Sequence, residues 1–384
     1  MPKRPRTALL VLILVFAYVL IFPGSTGTEP LLQRRWVSSL DGDASGGEGN
    51  GAEEGGTQRQ EEPDESSAAR IMPFRLGERF GYFSSDGEIL FSEEIRYGLA
   101  QSREYFANYS VVSENTVLQS NDGSLVRSIG APGYPYVAQD RLFIFAPNGS
   151  SVSEWTTDGE LLWEREFLSV LTDLAAGDTH TAVALLNGEV QLLDEQGETT
   201  FSHRAEGPRL EVALSVAAGS DENAFAALVG ADPQQLIVFE RHSEGFFPAL
   251  QLELDTDYRR SVLLEFLAGG DVLVLEQPDG MLMYDRSDDE VTHIDLGGPV
   301  RALDTISDFD MVVSVSGAGP TDGGISEDDG AGETESRRLH AMLGADGTLI
   351  SESLSGQEVF LRTEGSRIYL GTRGMLACIE LVDG

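Results

Sequence analysis

The side chains that could perform chemistry are few and lie far apart along this chain. The five histidines are His180, His203, His242, His293 and His340. None of them is four residues from another, so the spacing that places two metal ligands on one helix face does not occur. Cys378 is the single cysteine, and no second thiol is present to complete a metal site. Because the sequence also contains no Gly-x-Ser-x-Gly elbow and no Walker-type phosphate loop, it assigns no catalytic, cofactor-binding or metal-binding residue.

A repeated hairpin dominates the sequence instead: an apolar strand, an acidic turn that usually ends in glycine, and a second strand. The turn glycines are Gly87, Gly123, Gly159, Gly197, Gly245 and Gly347. Successive turns, including Asp288-Asp289 and Asp383-Gly384, are 36, 36, 38, 48, 44, 58 and 37 residues apart. A blade of four short strands and three turns needs about 35 to 45 residues. The seven intervals therefore predict an all-β protein, a seven-bladed β-propeller of four-stranded antiparallel blades.

One unit shows its strands with particular clarity. Residues 181–186, 190–193 and 199–203 are apolar or β-branched runs, and Asn187-Gly188 separates the first two. Asn-Gly between two such runs predicts a tight hairpin, because both turn positions must tolerate positive φ.

The two ends of the repeat predict how the ring closes. The last unit stops at Asp383-Gly384 without an outermost strand, whereas Ile89–Glu93 forms an extra strand before the first complete unit. Because an unpaired sheet edge promotes aggregation, we expect Ile89–Glu93 to supply the missing strand, so that both termini share one blade. The alternative is an open-ended solenoid, although neither end of the repeat resembles a polar cap.

The remaining segments define the domain organisation. The propeller is assigned to residues 71–384, and residues 318–337 within it are rich in glycine and acids, which predicts a disordered loop. Residues 23–70 have a similar composition and are interpreted as a disordered acidic tether. Residues 1–6 form a basic tip.

Residues 7–22 are uncharged and largely apolar, and they follow Lys3, Arg4 and Arg6. This pattern is typical of a signal anchor or a signal peptide. Basic residues at the start hold the N-terminus in the cytoplasm. The sequence thus predicts a single transmembrane helix in the inner membrane with a periplasmic or extracellular propeller. The alternative is a secreted or periplasmic propeller released by signal cleavage, although no Ala-x-Ala site follows the segment.

The charge of the chain restricts its partners. It has 64 acidic and 26 basic residues, a formal net charge of −38. Repulsion from phosphate groups disfavours nucleic acid and anionic lipid as partners. We therefore expect a protein partner in the cell envelope, whose identity the sequence leaves open, as it does the oligomeric state.

The stretch from Asp158 to Trp163 resembles the hairpin of quinoprotein-like propellers with PQQ-like repeats. In that family a tryptophan four residues after the turn glycine docks between blades. Phe91 and Phe201 occupy the matching positions after their turns, whereas Arg127, Ala249, His293 and Ser351 depart from the pattern. The resemblance covers about residues 80–384, and it implies blade-docking roles for Phe91, Trp163 and Phe201.

Two branches of this superfamily imply different functions. Quinone-dependent dehydrogenases carry an adjacent cysteine pair at the cofactor, and the lone Cys378 does not match them. Non-catalytic scaffolds include the propeller lipoprotein of outer-membrane protein assembly, although this chain lacks the lipidated cysteine of that protein. The resemblance favours the scaffold branch and implies no cofactor.

Two functional hypotheses follow. The first is a membrane-tethered extracytoplasmic scaffold that binds proteins. The alternative is an enzyme or small-ligand binder that uses the central channel. Convergent carboxylates, arginines or histidines in the channel would favour the alternative, whereas a narrow apolar channel would favour the scaffold.

Overall fold

The computed structural model describes residues 31–40, 70–111, 114–204, 207–220, 222–306, 311–317, 336–343, 348–355, 359–372 and 374–382. These residues form eight antiparallel sheets, which we number as blades 1 to 8 in chain order. The first strand, β1 (Leu31–Ser39), belongs to blade 8.

The strands of the first four blades follow one another along the chain. Blade 1 contains β2 (Ile71–Leu76), β3 (Arg79–Ser84) and β4 (Ile89–Glu94). Blade 2 contains β5 (Gly98–Gln101), β6 (Tyr105–Tyr109), β7 (Thr116–Ser120) and β8 (Leu125–Ile129). Blade 3 contains β9 (Tyr134–Ala138), β10 (Arg141–Phe145), β11 (Ser151–Trp155) and β12 (Leu161–Glu166). Blade 4 contains β13 (Leu171–Ala176), β14 (Thr181–Leu185), β15 (Glu189–Leu193) and β16 (Thr199–Arg204).

The second half repeats this order. Blade 5 contains β17 (Leu210–Ala218), β18 (Ala224–Ala231), β19 (Gln234–His242) and β20 (Gly245–Leu254). Blade 6 contains β21 (Leu264–Leu267), the short 3-10 helix Ala268–Gly270, β22 (Val272–Gln277), β23 (Gly280–Asp285) and β24 (Glu290–Asp295). Blade 7 contains β25 (Val300–Thr305), β26 (Met311–Gly317), β27 (Ser336–Leu343) and β28 (Thr348–Ser355). Blade 8 contains β29 (Val359–Glu364), β30 (Arg367–Thr372), β31 (Met375–Val382) and β1.

Burial follows the position of each strand within its blade. Every residue of β14, β18 and β22, the second strands of blades 4, 5 and 6, is buried. These strands pack against neighbouring blades on both faces, which is why their sequences are continuously apolar. The outermost strands are more exposed because one edge of each faces solvent: β16 exposes three of its six residues and β24 exposes five of six.

The blade number predicted from the sequence is wrong, because the structure has eight blades and not seven. Each Asp-Gly type turn that the structure describes connects the last two strands of its own blade, as Asp122-Gly123 does between β7 and β8, and Asp346-Gly347 and Asp383-Gly384 lie outside the described residues. Eight turns therefore indicate eight blades. Counting the seven intervals between turns would be valid only if the first and last turns shared a blade.

The predicted closure by Ile89–Glu93 is also wrong. These residues lie in β4, the outer strand of blade 1. The ring is closed by β1, which pairs with β31 from Leu31 opposite Val382 to Ser39 opposite Met375. Trp36 on β1 packs against Phe83 of blade 1, with ring centroids 6.1 Å apart, so β1 also joins blade 8 to blade 1.

The boundaries of two predicted disordered segments change as a result. β1 lies inside residues 23–70, which the sequence analysis assigned to a tether, so that range contains a strand of the ring. The acidic residues of this range predicted disorder, and β1 has no turn beside it that would have indicated a strand. Ser336 and Arg337 of the predicted loop 318–337 belong to β27. Residues 1–30, 41–69 and 318–335 lie outside the described residues.

The antiparallel order places the connections on two faces of the ring. One face carries the connections between blades and the turns between second and third strands, and we call it the entry face. The other carries the turns between first and second strands and the Asp-Gly type turns, and we call it the Asp-Gly face. Within the described part of the chain, no helix has the length and apolar character needed to cross a membrane. Residues 7–22 lie outside that part.

Candidate functional site in the central channel

The innermost strands of neighbouring blades contact one another, as β13 does β17 and β25 does β29, and together they surround a central channel. Several of these strands contribute one charged residue each. They are Asp173 on β13, Glu265 on β21, Asp304 on β25 and Arg362 on β29. Tyr136 on β9 joins this group, and burial, together with the charges of Asp173 and Glu265, raises its pKa to about 12.

Asp173 links two blades. Its Oδ2 accepts a hydrogen bond of 3.0 Å from the backbone N–H of Val216 on β17, and its Oδ1 accepts one of 3.0 Å from the N–H of Leu174. Burial raises the pKa of this carboxyl to about 6, although these hydrogen bonds oppose the shift. Ionisation of Asp173 in the folded protein is thus disfavoured relative to an exposed aspartate.

Asp304 makes the same kind of link between blades 7 and 8. Its Oδ2 accepts a hydrogen bond of 2.9 Å from the backbone N–H of Thr363 on β29. Nη1 of Arg362 lies 3.9 Å from the same oxygen. The carboxylates of Asp173 and Asp304 therefore each accept a hydrogen bond from the inner strand of the next blade, so their primary role is structural.

Glu265 differs from both aspartates, because no described residue donates a hydrogen bond to its carboxylate. Its residue retains solvent exposure, yet protein atoms surround its carboxyl group on most sides. Burial among these atoms raises its pKa, the negative charge of Asp304 raises it further, and the positive charge of Arg362 lowers it. Within the described part of the chain, Glu265 is thus an inward carboxylate that no hydrogen bond holds to a neighbouring strand.

A cavity of about 470 Å³ opens beside Glu265. It is lined by Met72 and Pro73 of β2, by Gln101 of β5, and by Arg362 of β29. Its size is within the range of about 300 to 1,000 Å³ that is usual for ligand pockets. The lining combines acids, arginines and amides, so the cavity is suited to a polar or charged group.

The residues predicted to dock between blades lie at blade junctions. A Cβ atom at Gly197 would lie 2.7 Å from the indole of Trp163, so this tryptophan covers the turn of the next blade. Phe91 covers Gly123 in the same way, with a ring carbon 2.7 Å from the Cβ position. Phe201 packs against three phenylalanines of blade 5 with centroid distances of 5.2, 5.5 and 6.0 Å.

Trp36 occupies the equivalent position at the ring closure, and the sequence analysis missed it. Its indole covers Gly87, where a Cβ atom would lie 2.6 Å away. No turn glycine precedes Trp36 at the family spacing, because β1 comes from the opposite end of the chain. The signal available was an isolated tryptophan beside an acidic segment.

The other turn glycines have different surroundings. The aliphatic part of Arg127 covers Gly159, so an arginine fills the place of the docking aromatic. Gly245 has positive φ and open space around its Cβ position. Gly347 lies outside the described residues.

A buried ion pair joins blades 3 and 4. The guanidinium of Arg141 donates two hydrogen bonds, of 2.8 and 2.6 Å, to the carboxylate of Glu154. It also donates to the backbone oxygens of Gly177 and His180 at 3.0 and 2.9 Å. Nε1 of Trp163 donates to Glu154 at 2.6 Å, so one polar network connects the two blades and the docking tryptophan.

The cysteine and the histidines, to which the sequence analysis assigned no site, do not come together in the described structure. Cys378 is buried in the core between blades 8 and 1. His293 lies beside Asp279, with 3.1 Å between Nε2 and Oδ1, and His203 packs against Phe239. Among the described residues, no group of three or more His, Cys, Asp or Glu side chains could hold a metal ion.

The channel residues could not be grouped from the sequence, because they lie on different blades. A weaker signal was available in the inner strands. Asp173 and Glu265 are each the single charged residue of a short, mainly apolar strand. An ionisable residue in such a strand indicates a position that faces the channel.

A family of β-propeller proteins matches residues 3–384 of this sequence. The chain belongs to this β-propeller family. A relative described as an uncharacterized protein of Treponema pallidum (strain Nichols) is 24% identical over 246 residues, which is 64% of this chain and 65% of the relative. That match spans slightly less than two thirds of the relative's length.

Among solved structures, the crystal structure of BamB from Moraxella catarrhalis superposes with a TM-score of 0.55 at 14% sequence identity. The superposition covers 91% of this chain and 100% of the BamB chain. At this identity the similarity shows a shared fold. The β-propeller predicted from the sequence is thus confirmed, with the blade number corrected.

Asp173 provides a pH-dependent prediction. Because its folded-state pKa of about 6 lies above the ordinary value of about 3.9, its contribution to stability is complete below pH 4 and is lost as the pH rises through 6. In the Asp173→Asn variant, we expect the fall in unfolding free energy between pH 4 and pH 6 to be smaller by up to about 1.4 kcal/mol per pH unit. Urea unfolding at several pH values measures this slope. Asp158→Asn, on an exposed turn, should keep the wild-type slope, and an unchanged slope in Asp173→Asn would contradict the assignment.

Proposed function

We propose that this protein is a scaffold of the cell envelope that binds another protein through one face of its propeller. In this proposal residues 7–22 hold it in the cytoplasmic membrane and the propeller lies on the outer side. The basic residues before an apolar segment support the orientation. The fold shared with BamB is consistent with a scaffold and does not identify a partner.

The observation that carries the proposal is a set of exposed and half-buried apolar side chains on the entry face of blades 2 to 5. We call it the apolar arc; its exposed members are Tyr97, Leu168, Val170, Leu186 and Leu210, and its half-buried members are Tyr109 and Tyr134. Leu168 is fully exposed, and Tyr97 and Leu186 are 56% and 53% exposed. Apolar side chains grouped on one face of a soluble domain mark an interaction surface.

Two groups of arc members contact one another. Tyr97, Tyr109 and Tyr134 form a cluster with centroid distances of 6.2, 6.3 and 6.2 Å. On blade 4, Val170 and Leu186 are adjacent, since the backbone N–H of Leu186 donates to the oxygen of Val170 at 2.8 Å. Tyrosine is enriched at protein interfaces, where its ring packs and its hydroxyl bonds water or a partner.

The charge of the chain favours a protein over a membrane as the occupant of this face. With a net charge of −38, the protein is repelled by anionic lipid. The arc is therefore better suited to a partner protein with an apolar contact surface.

Photocrosslinking in intact cells tests this function. With a photoreactive amino acid at position 168, we expect covalent adducts of defined size. The control is position 125 on β8, where Leu125 is 69% exposed but lies outside the arc. The absence of adducts at position 168, or the same adducts at both positions, would argue against the proposal.

The proposed orientation has its own test. A reporter that is active only outside the cytoplasm, fused after Gly384, should be active, and one that works only inside should be silent. The reverse pair of results would contradict the extracytoplasmic location. The mature N-terminus of the same fusion distinguishes an intact anchor from a cleaved signal peptide.

The channel supports a second candidate function, the binding of a ligand. Glu265, Asp304 and Arg362 converge there, so the channel is polar and not narrow and apolar. Convergent charged groups beside a cavity are typical of binding sites.

A further inference from the structure

Three tyrosines form a compact cluster at one end of the apolar arc. Tyr97 precedes β5, Tyr109 ends β6, and Tyr134 begins β9 of the next blade. Their ring centroids are 6.2, 6.3 and 6.2 Å apart, so the rings stand at the corners of a nearly equilateral triangle. We call this cluster the tyrosine triad. Its triangular arrangement suits one compact group better than an extended apolar chain.

Backbone hydrogen bonds fix the loop that carries Tyr97. The backbone N–H of Tyr97 donates to the oxygen of Tyr109 at 3.1 Å. The N–H of Arg96 donates to Oδ1 of Asn108 at 3.0 Å, and Nδ2 of Asn108 donates to the oxygen of Glu94 at 2.8 Å. Because a loop that is already ordered loses little entropy on binding, the triad is preorganised to receive a ligand.

A glycine makes room for the second ring. Gly98 pairs with Tyr109 across β5 and β6. A Cβ atom at Gly98 would lie 2.3 Å from the hydroxyl oxygen of Tyr109, so the ring lies over the Gly98 backbone. Tyr109 and Tyr134 are half-buried, whereas Tyr97 is 56% exposed. The triad therefore has a packed base and one ring that solvent reaches.

The rings provide an attractive site for a cation. The face of an aromatic ring carries partial negative charge, and an arginine or lysine head group within about 6 Å of the centroid is attracted to it. Because the three centroids are 6.2 to 6.3 Å apart, one cation above the middle of the triad can lie within this distance of all of them. Burial and the neighbouring Tyr97 raise the pKa of Tyr109, although Arg75 lowers it, so the attraction comes from neutral rings.

The charge of the protein also favours a cationic ligand. The chain has a net charge of −38, which attracts and orients a positively charged partner. Glu93 and Glu94 lie just before the triad in the sequence, and Arg96 lies 3.3 Å from the Glu93 carboxylate. Arginine is better suited than lysine, because its planar guanidinium stacks on aromatic rings.

We propose that the tyrosine triad binds an arginine side chain of the partner protein. Apolar residues beside that arginine contact the rest of the apolar arc. This inference rests on the proposed role in protein binding, and it specifies the side chain by which the partner is anchored.

Binding of two synthetic peptides to the purified full chain in a maltoside detergent tests the proposal. One is a fluorescently labelled ten-residue peptide of serine and leucine with a single central arginine. The other has citrulline at that position, which keeps the shape of arginine without its charge. At about 0.15 M salt, where distant charges are screened, we expect the arginine peptide to bind about fivefold more tightly by fluorescence anisotropy. This ratio corresponds to about 1 kcal/mol.

Three protein variants locate the binding site, and all have the charge of the wild type. Tyr97→Leu keeps an apolar side chain but loses the ring, and it should weaken binding of the arginine peptide about fivefold. Tyr97→Phe keeps the ring and should bind within about twofold of the wild type. Phe247→Leu, which removes a 46% exposed ring from β20, is the matched control and should bind as the wild type does. Thermal melting shows that each variant is folded.

Three results would overturn the proposal: equal binding of the arginine and citrulline peptides, unchanged binding to Tyr97→Leu, or equal losses in Tyr97→Leu and Phe247→Leu. Because a choline head group is also a cation, vesicles of phosphatidylcholine form a further arm. Tyr97→Leu should associate with them to the same extent as the wild type. A loss in this variant alone would assign the triad to a lipid head group and overturn the partner proposal.

The proposed function and this inference can fail separately. Crosslinks from position 168 report whether a partner lies on the apolar arc and require no contact with the triad. Adducts at position 168 together with equal binding of the two peptides would retain the scaffold function and overturn the arginine site.

Discussion

Removing residues 1–40 should destabilise the entire ring, with a fall in melting temperature of at least about 10 °C relative to a protein that begins at residue 31. The deletion removes β1, leaves the edge of β31 unpaired, and exposes the core that Trp36 and Leu40 cover. Loss of a fully buried tryptophan costs about 3 to 5 kcal/mol; Trp36 is half-buried, and the lost strand pairing and the loss of buried Leu40 add to its contribution. Each kcal/mol lowers the melting temperature of a larger domain by about 2 to 4 °C.

Calorimetry or circular dichroism measures this effect. Trp36→Ala in the longer protein is an intermediate case, because it keeps the strand but loses the packing on Gly87 and the hydrogen bond of 3.1 Å from Nε1 to the Ser85 oxygen. Equal melting temperatures for the proteins that begin at residues 31 and 41 would show that β1 does not close the ring.

The second large effect is expected at the junction of blades 3 and 4. Arg141→Met should lower the free energy of unfolding by about 3 to 5 kcal/mol, because it leaves the Glu154 carboxylate buried without its countercharge. It also removes the donors to Gly177 and His180. Chemical denaturation at neutral pH measures the change.

A double variant separates the buried charge from the lost packing. Arg141→Met combined with Glu154→Leu should be more stable than Arg141→Met alone, since no uncompensated charge remains. Arg165→Met removes an ion pair with the exposed Glu198 and should cost less than about 1 kcal/mol. Equal losses in the Arg141 and Arg165 variants would contradict a structural role for the buried pair.

Local signals predicted the strands well, because hairpin turns and apolar runs are properties of neighbouring residues. The predicted strands 181–186, 190–193 and 199–203 correspond to β14, β15 and β16. The number of blades could be predicted only with knowledge of how the two ends of the chain pair. That pairing joins Leu31 to Val382 across the whole chain, and no local pattern in the sequence encodes it.

The candidate site was harder to predict for the same reason. Glu265 and Arg362 line one cavity only because the ring turns the inner strands of blades 6 and 8 toward it, and each alone resembles an ordinary charged residue in a strand. Similarly, the apolar arc is formed by single residues at the ends of different strands. Its members become a surface only when the blades are arranged around an axis.

The position of β1 along the chain determines how the ring would be attached if residues 7–22 lie in the membrane. Only residues 23–30 then separate the anchor from β1, and eight extended residues span at most about 29 Å. The acidic residues 41–69 come after β1 and add nothing to this reach. The ring would stay close to the membrane surface, and any force between the anchor and a bound partner would be carried by the hydrogen bonds between β1 and β31.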